Sequence, residues 1–162
     1  MKPILPVSFL ISLSAALVYA QAAATLTLSG DLPARMILTA EDLSKMPHET
    51  VSMLEHNAKV DYQGVPLREI LKRAGAPMEK ELRGKALASY VLAKAHDGYQ
   101  VVFTLAEVAP EFANEPILVA DKRDGKPLSG SLGPLRLICP GDKEGARSVR
   151  MLESLDFVRL GK

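Results

Sequence analysis

Apolar and polar positions alternate along most of this chain, and they switch clearly to the helical period in one place. Leu67, Ile70, Leu71 and Ala74 fall at i, i+3, i+4 and i+7, with Arg68, Glu69, Lys72 and Arg73 on the opposite face. Pro66 suits the first helical position and Gly75 the left-handed cap beyond the last, so a helix is predicted there. Around it the two-residue period predicts short strands over 25–29, 49–55, 60–62, 116–120, 134–139 and 151–160. A hairpin is expected from 87–95 and 99–103, joined by His96-Asp97-Gly98. Thr39 with Asp42, and Thr104 with Glu107, have the spacing of helix-opening capping boxes, the first ahead of a short helix that Pro47 ends. Gln63-Gly64-Val65-Pro66 reads as a turn. Seven or eight strands, one good helix and two or three helical turns define an α+β class with mixed or mostly antiparallel sheets.

Strand parity then sorts individual side chains. Leu135, Leu137 and Cys139 share one face, which makes Cys139 a small buried hydrophobe and leaves Arg136 on the other side. A guanidinium in mid-strand needs either solvent or an anion. Tyr99, Val101 and Phe103 share a face expected to be core, and capping alone accounts for Asp42 and Glu107. Past Pro140-Gly141 the loop carries Lys143, Arg147, Ser148 and Arg150, the parts of an anion cradle. A solvated basic turn is the competing reading.

Composition narrows the classes. Lys2 precedes an apolar run from Ile4 to Val18, and Val18-Tyr19-Ala20 is a small-x-small pattern, so residues 1–23 read as a signal peptide, with Ala20 the first choice of cleavage site and Ala22 or Ala23 the next. A periplasmic or secreted location follows as an expectation, with one domain over 24–162 and no membrane span in the mature chain. Lys and Arg total 20 against 19 Asp and Glu, and loss of Lys2 with the leader balances them. No global field would draw in nucleic acid, so any electropositive site is local. Trp is absent and Cys139 is the single cysteine, which excludes an intramolecular disulfide.

Several pieces then fall into a known order. Tyr62-Gln63-Gly64-Val65-Pro66-Leu67 with its helix is followed by Asp97-Gly98-Tyr99 and by Asp124-Gly125-Lys126-Pro127-Leu128. Next come Gly133-Pro134-Leu135-Arg136-Leu137 with Pro140-Gly141, and Gly145-Ala146-Arg147-Ser148-Val149-Arg150. This series resembles the molybdopterin-binding domain of the sulfite oxidase family, from about Leu26 to Leu160. The resemblance implies that family's α+β fold, a molybdopterin cofactor and molybdopterin-dependent oxidoreductase chemistry. The family's molybdenum-ligating cysteine position falls on His56, where an imidazole replaces the thiolate. Its hairpin aspartate falls on Asp97 and its strand arginine on Arg136, while the residues that hold the pterin's phosphate end fall on Ser148, Val149 and Arg150. The histidine that precedes the strand in sulfite oxidases falls near Ser131 and is missing, as are the cofactor contacts of a longer N-terminal arm.

The predicted cofactor-binding set is therefore His56, Asp97, Arg136, Arg147, Ser148, Val149 and Arg150. The predicted ligand is a pterin or another small anion, and no metal ligand is assigned. His56 reads either as a pocket residue or as a strand-end imidazole bonded to backbone. His96 reads as turn chemistry beside Asp97 or as a second imidazole near His56. His48 has no partner in view, and three histidines without paired spacing do not make a zinc site. A non-catalytic module that interacts with a periplasmic or membrane redox partner is the other function expected.

Overall fold

The computed structural model describes residues 24–160, so the predicted leader at 1–23 lies outside the described residues. In chain order the strands are β1 (Thr25–Gly30), β2 (Met36–Thr39), β3 (Glu49–Glu55), β4 (Ala58–Pro66), β5 (Tyr90–Ala95), β6 (Gln100–Thr104), β7 (Leu118–Arg123), β8 (Lys126–Pro127), β9 (Arg136–Ile138) and β10 (Leu152–Val158). The helices are α1 (Ala40–Ser44), α2 (Leu67–Arg73) and α3 (Leu105–Val108). One sheet runs β2-β1-β10-β5-β6, with β1 parallel to β10 and the other pairs antiparallel. The second is antiparallel, β3-β4-β7-β8, with β9 also on β7. The α+β class with mixed and antiparallel sheets is as expected.

The larger core is filled by Leu26, Leu28, Val91, Phe103, Leu155 and Phe157 from the first sheet, by Leu67, Ile70 and Leu71 from α2, and by Val65, Val119, Leu135 and Leu137 from the second. The predicted apolar stripe of α2 is thus its buried face, and each such side chain contributes about 1.5–3 kcal/mol. The second sheet is also covered on its other side. Val51, Val60, Tyr62, Leu118, Ala120 and Ile138 form a smaller cluster there. Because Arg136 alternates with Leu135 and Leu137, it points into this smaller cluster, beside Tyr62.

Both capping boxes form, on Thr39 with Asp42 and on Thr104 with Glu107. Four expectations need correction. β2 escaped notice because four residues are too short a window for a period. The first half of the predicted 87–95 strand is partly a 3₁₀ turn, Gly84–Ala88. Tyr99 is about half exposed rather than core, because the strand begins only at Gln100; its hydroxyl donates to the Ala146 carbonyl at 2.8 Å. Residues 63–66, read as a turn, instead continue β4, which shifts register against β7 between Gln63 and Gly64. Gly64 is there for closeness rather than for turning: a Cβ on it would lie 2.2 Å from the Val119 carbonyl oxygen.

Candidate functional site

A cleft of about 770 Å³ opens between the β3–β4 hairpin end, the β5–β6 turn and the loop that joins β9 to β10. Glu55 ends β3, and His56 and Asn57 form the two-residue connection, both with positive φ (49° and 65°). Such a turn matches the strand twist and turns the chain back at once. It places His56 on the wall of the cleft, which Asp97 and Tyr99 from the β5–β6 turn also line. Asp97 accepts from the Tyr99 backbone N–H at 3.0 Å, which fixes its carboxylate within the turn.

Arg136 forms part of the cleft wall from inside the sheet. Only 7% of it is exposed. Its Nη1 donates to the Tyr62 hydroxyl at 2.5 Å and forms an ion pair with Glu55 Oε1 at 2.9 Å, and its guanidinium carbon lies 5.1 Å from the Tyr62 ring centroid. Tyr62 donates to the same Glu55 oxygen at 3.0 Å, and Arg123 reaches Glu55 Oε2 at 3.3 Å. Burial pushes the Tyr62 phenol up to about 12, against the opposing pull of Arg136, so it remains a neutral donor at any ordinary pH. The expectation that Arg136 needs solvent or an anion is met first by Glu55. That pairing is incomplete, because the buried Nε atoms of Arg136 and Arg123 have no hydrogen-bond partner.

The loop after β9 divides by side. Lys143, Ser148 and Arg150 face the cleft, and the Ser148 hydroxyl accepts from the Cys139 N–H at 3.1 Å. Arg147 turns the other way, to a second hollow of about 490 Å³ that also contains Cys139 and Phe112. There it grips Asp142 with two bonds of 2.8 Å and donates to Glu107 at 2.5 Å. Glu107 therefore does more than cap α3: it ties the loop to the first sheet. Val149 is fully buried and its carbonyl accepts from the Leu137 N–H at 2.8 Å.

The clamp on Arg147 sets an acid limit. The Arg147 guanidinium holds the Asp142 carboxyl below its ordinary value; burial would raise Glu107, but Arg147 and the Thr104 cap outweigh it and lower it too. A carboxylate depressed in the fold contributes stability above its unfolded pKa and loses it as pH falls through the folded one. Arg147→Met is expected to be less stable than wild type by about 1 kcal/mol at pH 7, since the groups are partly exposed. The gap between the two melting temperatures should close below about pH 4; a gap unchanged at pH 3 would remove the clamp from the stability of this loop.

Of the predicted residues, His56, Asp97, Arg136, Ser148 and Arg150 share the cleft, while Arg147 and Val149 lie outside it. Glu55, Tyr62 and Arg123 were missed. Strand parity signals Glu55, which shares a side with Val51 and Met53, but nothing local signals Arg123, whose side is set by the register shift. His96 bonds Glu153 at 2.5 Å, and His48 bonds the Met46 carbonyl at 2.9 Å and approaches Asp121 at 3.5 Å, so the three imidazoles do not meet. No cluster of three metal-ligating side chains occurs among the described residues.

Residues 54–160 match the family described as "Oxidoreductase molybdopterin binding domain". The chain belongs to this family. Among solved structures it is similar to the sulfane dehydrogenase SoxCD from Paracoccus pantotrophus, at 23% identity and a TM-score of 0.62 over 82% of this chain. That similarity shows the shared fold, and the chain spans 37% of the SoxCD chain it matches. No curated protein matches the sequence.

Membership in this molybdopterin-binding family poses a test of donor chemistry. Bonding of a soft, high-valent metal centre favours thiolate sulfur. Cys139 cannot supply it to the cleft: its sulfur is buried beside the Arg147 carbonyl at 3.6 Å, on the other hollow, and burial pushes the thiol up to about 12. The polar residues that do line the cleft are His56, carboxylates, hydroxyls and the cations Arg123, Arg136, Lys143 and Arg150. That set does not fit a thiolate-ligated metal, whereas its cations suit an anionic organic or inorganic group.

Proposed function

We propose that this chain is an exported binding module of the molybdopterin-binding oxidoreductase family that takes a pterin-like or simpler anionic ligand over Arg136, without metal-centred catalysis. The observation that carries this reading is Arg136 itself: nine-tenths buried, on the cleft wall, with an Nε–H that no protein atom satisfies. A buried donor left unpaired costs about 1–3 kcal/mol, a deficit that an acceptor oxygen on a ligand relieves. Export rests on the leader pattern of residues 1–23. Asp97 and His56, which line the same cleft, would orient a ligand that carries donors as well as a negative charge.

The test is thermal stabilisation by pterins, inorganic phosphate and small carboxylates. At about 100-fold excess over Kd a bound ligand adds about 2.7 kcal/mol, a rise of about 5–10 °C for a domain of this size. The rise should weaken in Arg150→Ala and vanish in Arg136→Ala, whose fold is checked by circular dichroism. An equal rise in folded Arg136→Ala would place the ligand elsewhere.

The exposed Leu54 (74%) and half-exposed Tyr99 on the cleft rim favour a second reading, an interaction module of a periplasmic redox system. The resemblance to a sulfane dehydrogenase supports a redox setting for it. Co-purification that survives in wild type and fails in Leu54→Ser supports that partner; co-purification unaffected by the substitution argues against this rim.

A further inference from the structure

Around Arg136 and Arg123 the cleft wall is short of acceptors. Two guanidiniums and a phenol converge on one carboxylate, whose two oxygens take Arg136 Nη1, Arg123 Nη2 and the Tyr62 hydroxyl. The Nε–H groups of Arg136 and Arg123 remain unbonded and out of reach of water. The nearest carboxylate to the Arg123 Nε other than Glu55 is Asp124, at 3.8 Å, beyond a hydrogen bond. Asp124 thus gives Arg123 a looser second counterion but no hydrogen bond, and around this pair of guanidiniums the donors outnumber the acceptors.

We propose that the Glu55 carboxylate is an exchangeable internal counterion: it holds the anion position on Arg136 and Arg123, and an incoming oxyanion binds the pair by displacing it. This rests on the cleft being the anion site proposed above. Arg136 is the fixed partner, since it sits on β9 paired with β7 and its guanidinium lies against the Tyr62 ring. Glu55 is the partner free to leave, because it is the last residue of β3 and its side chain already reaches the cleft (16% exposed). Both unpaired N–H groups are buried in this arrangement, so in the exchange a ligand gains them as the carboxylate swings out. A tetrahedral oxyanion such as a phosphoryl group offers more acceptor oxygens than Glu55 and matches the fork of each guanidinium.

Titration calorimetry of the full chain with inorganic phosphate tests the exchange. Glu55→Gln removes the competing charge with little change of shape and is expected to bind phosphate about tenfold tighter than wild type or better. The gain should disappear when Arg123→Ala is added. Tyr62→Phe, which takes from Glu55 its hydroxyl donor, should also tighten binding and decides the matter if Glu55→Gln does not fold. Phosphate bound by wild type but no more tightly by either folded variant overturns the exchange and leaves the anion site standing. Phosphate bound by none of these proteins overturns both.

Discussion

Gly64→Ala is expected to cost about 3 kcal/mol or more and to lower the melting temperature by about 10 °C. The new Cβ would lie 2.2 Å from the Val119 carbonyl oxygen and 2.4 Å from the Ala120 Cα, and neither backbone atom can yield alone. β4 and β7 would have to part at the register shift that sets Tyr62 opposite Arg123. The substitution therefore affects the site as well as the fold, since that pairing holds two sides of the Glu55 network together. Thermal unfolding followed by circular dichroism measures it. A melting temperature within about 2 °C of wild type would mean that the strands separate there at little cost.

Arg136→Met is the second large effect, about 2–3 kcal/mol of lost stability at neutral pH. The substitution keeps much of the stem volume and removes the charge, leaving Glu55 with Tyr62 and Arg123 only. Breaking one side of a buried ion pair costs about 3–5 kcal/mol, and the partial exposure of Glu55 reduces that. Most of the loss should be recovered in Glu55→Gln/Arg136→Met, because the stranded charge is then gone. Urea unfolding of the four proteins gives the coupling directly. Additive losses would mean that the two side chains do not depend on each other.

How much of this was legible in the sequence depended on the range of the determining contact. The stripe of α2, both capping boxes and the Asp-Gly hairpin rest on residues close in the chain, the farthest being Tyr90 and Thr104 of the hairpin, and all are found. Arg136 stood out because a charge in an apolar strand has to be satisfied, and the cleft contains it. Arg123 did not stand out. Its place on the cleft follows from one extra residue in β7 relative to β4, and an extra residue in a strand leaves no trace in a two-residue period. Gly64 was misread for a similar reason, since glycine serves turns and close strand approaches equally and only the partner strand distinguishes them. The glycine loop read as one anion cradle, yet Arg147 turns away because Asp142 and Glu107, five and forty positions distant, claim its guanidinium.

What separates this chain most sharply from the chemistry implied by its family is that its cleft has arginines and no thiolate. Elemental analysis of the protein purified from its own host, grown with ample molybdate, addresses this directly. Protein that retains no stoichiometric molybdenum is the expected result, whereas one tightly held molybdenum per chain would contradict it.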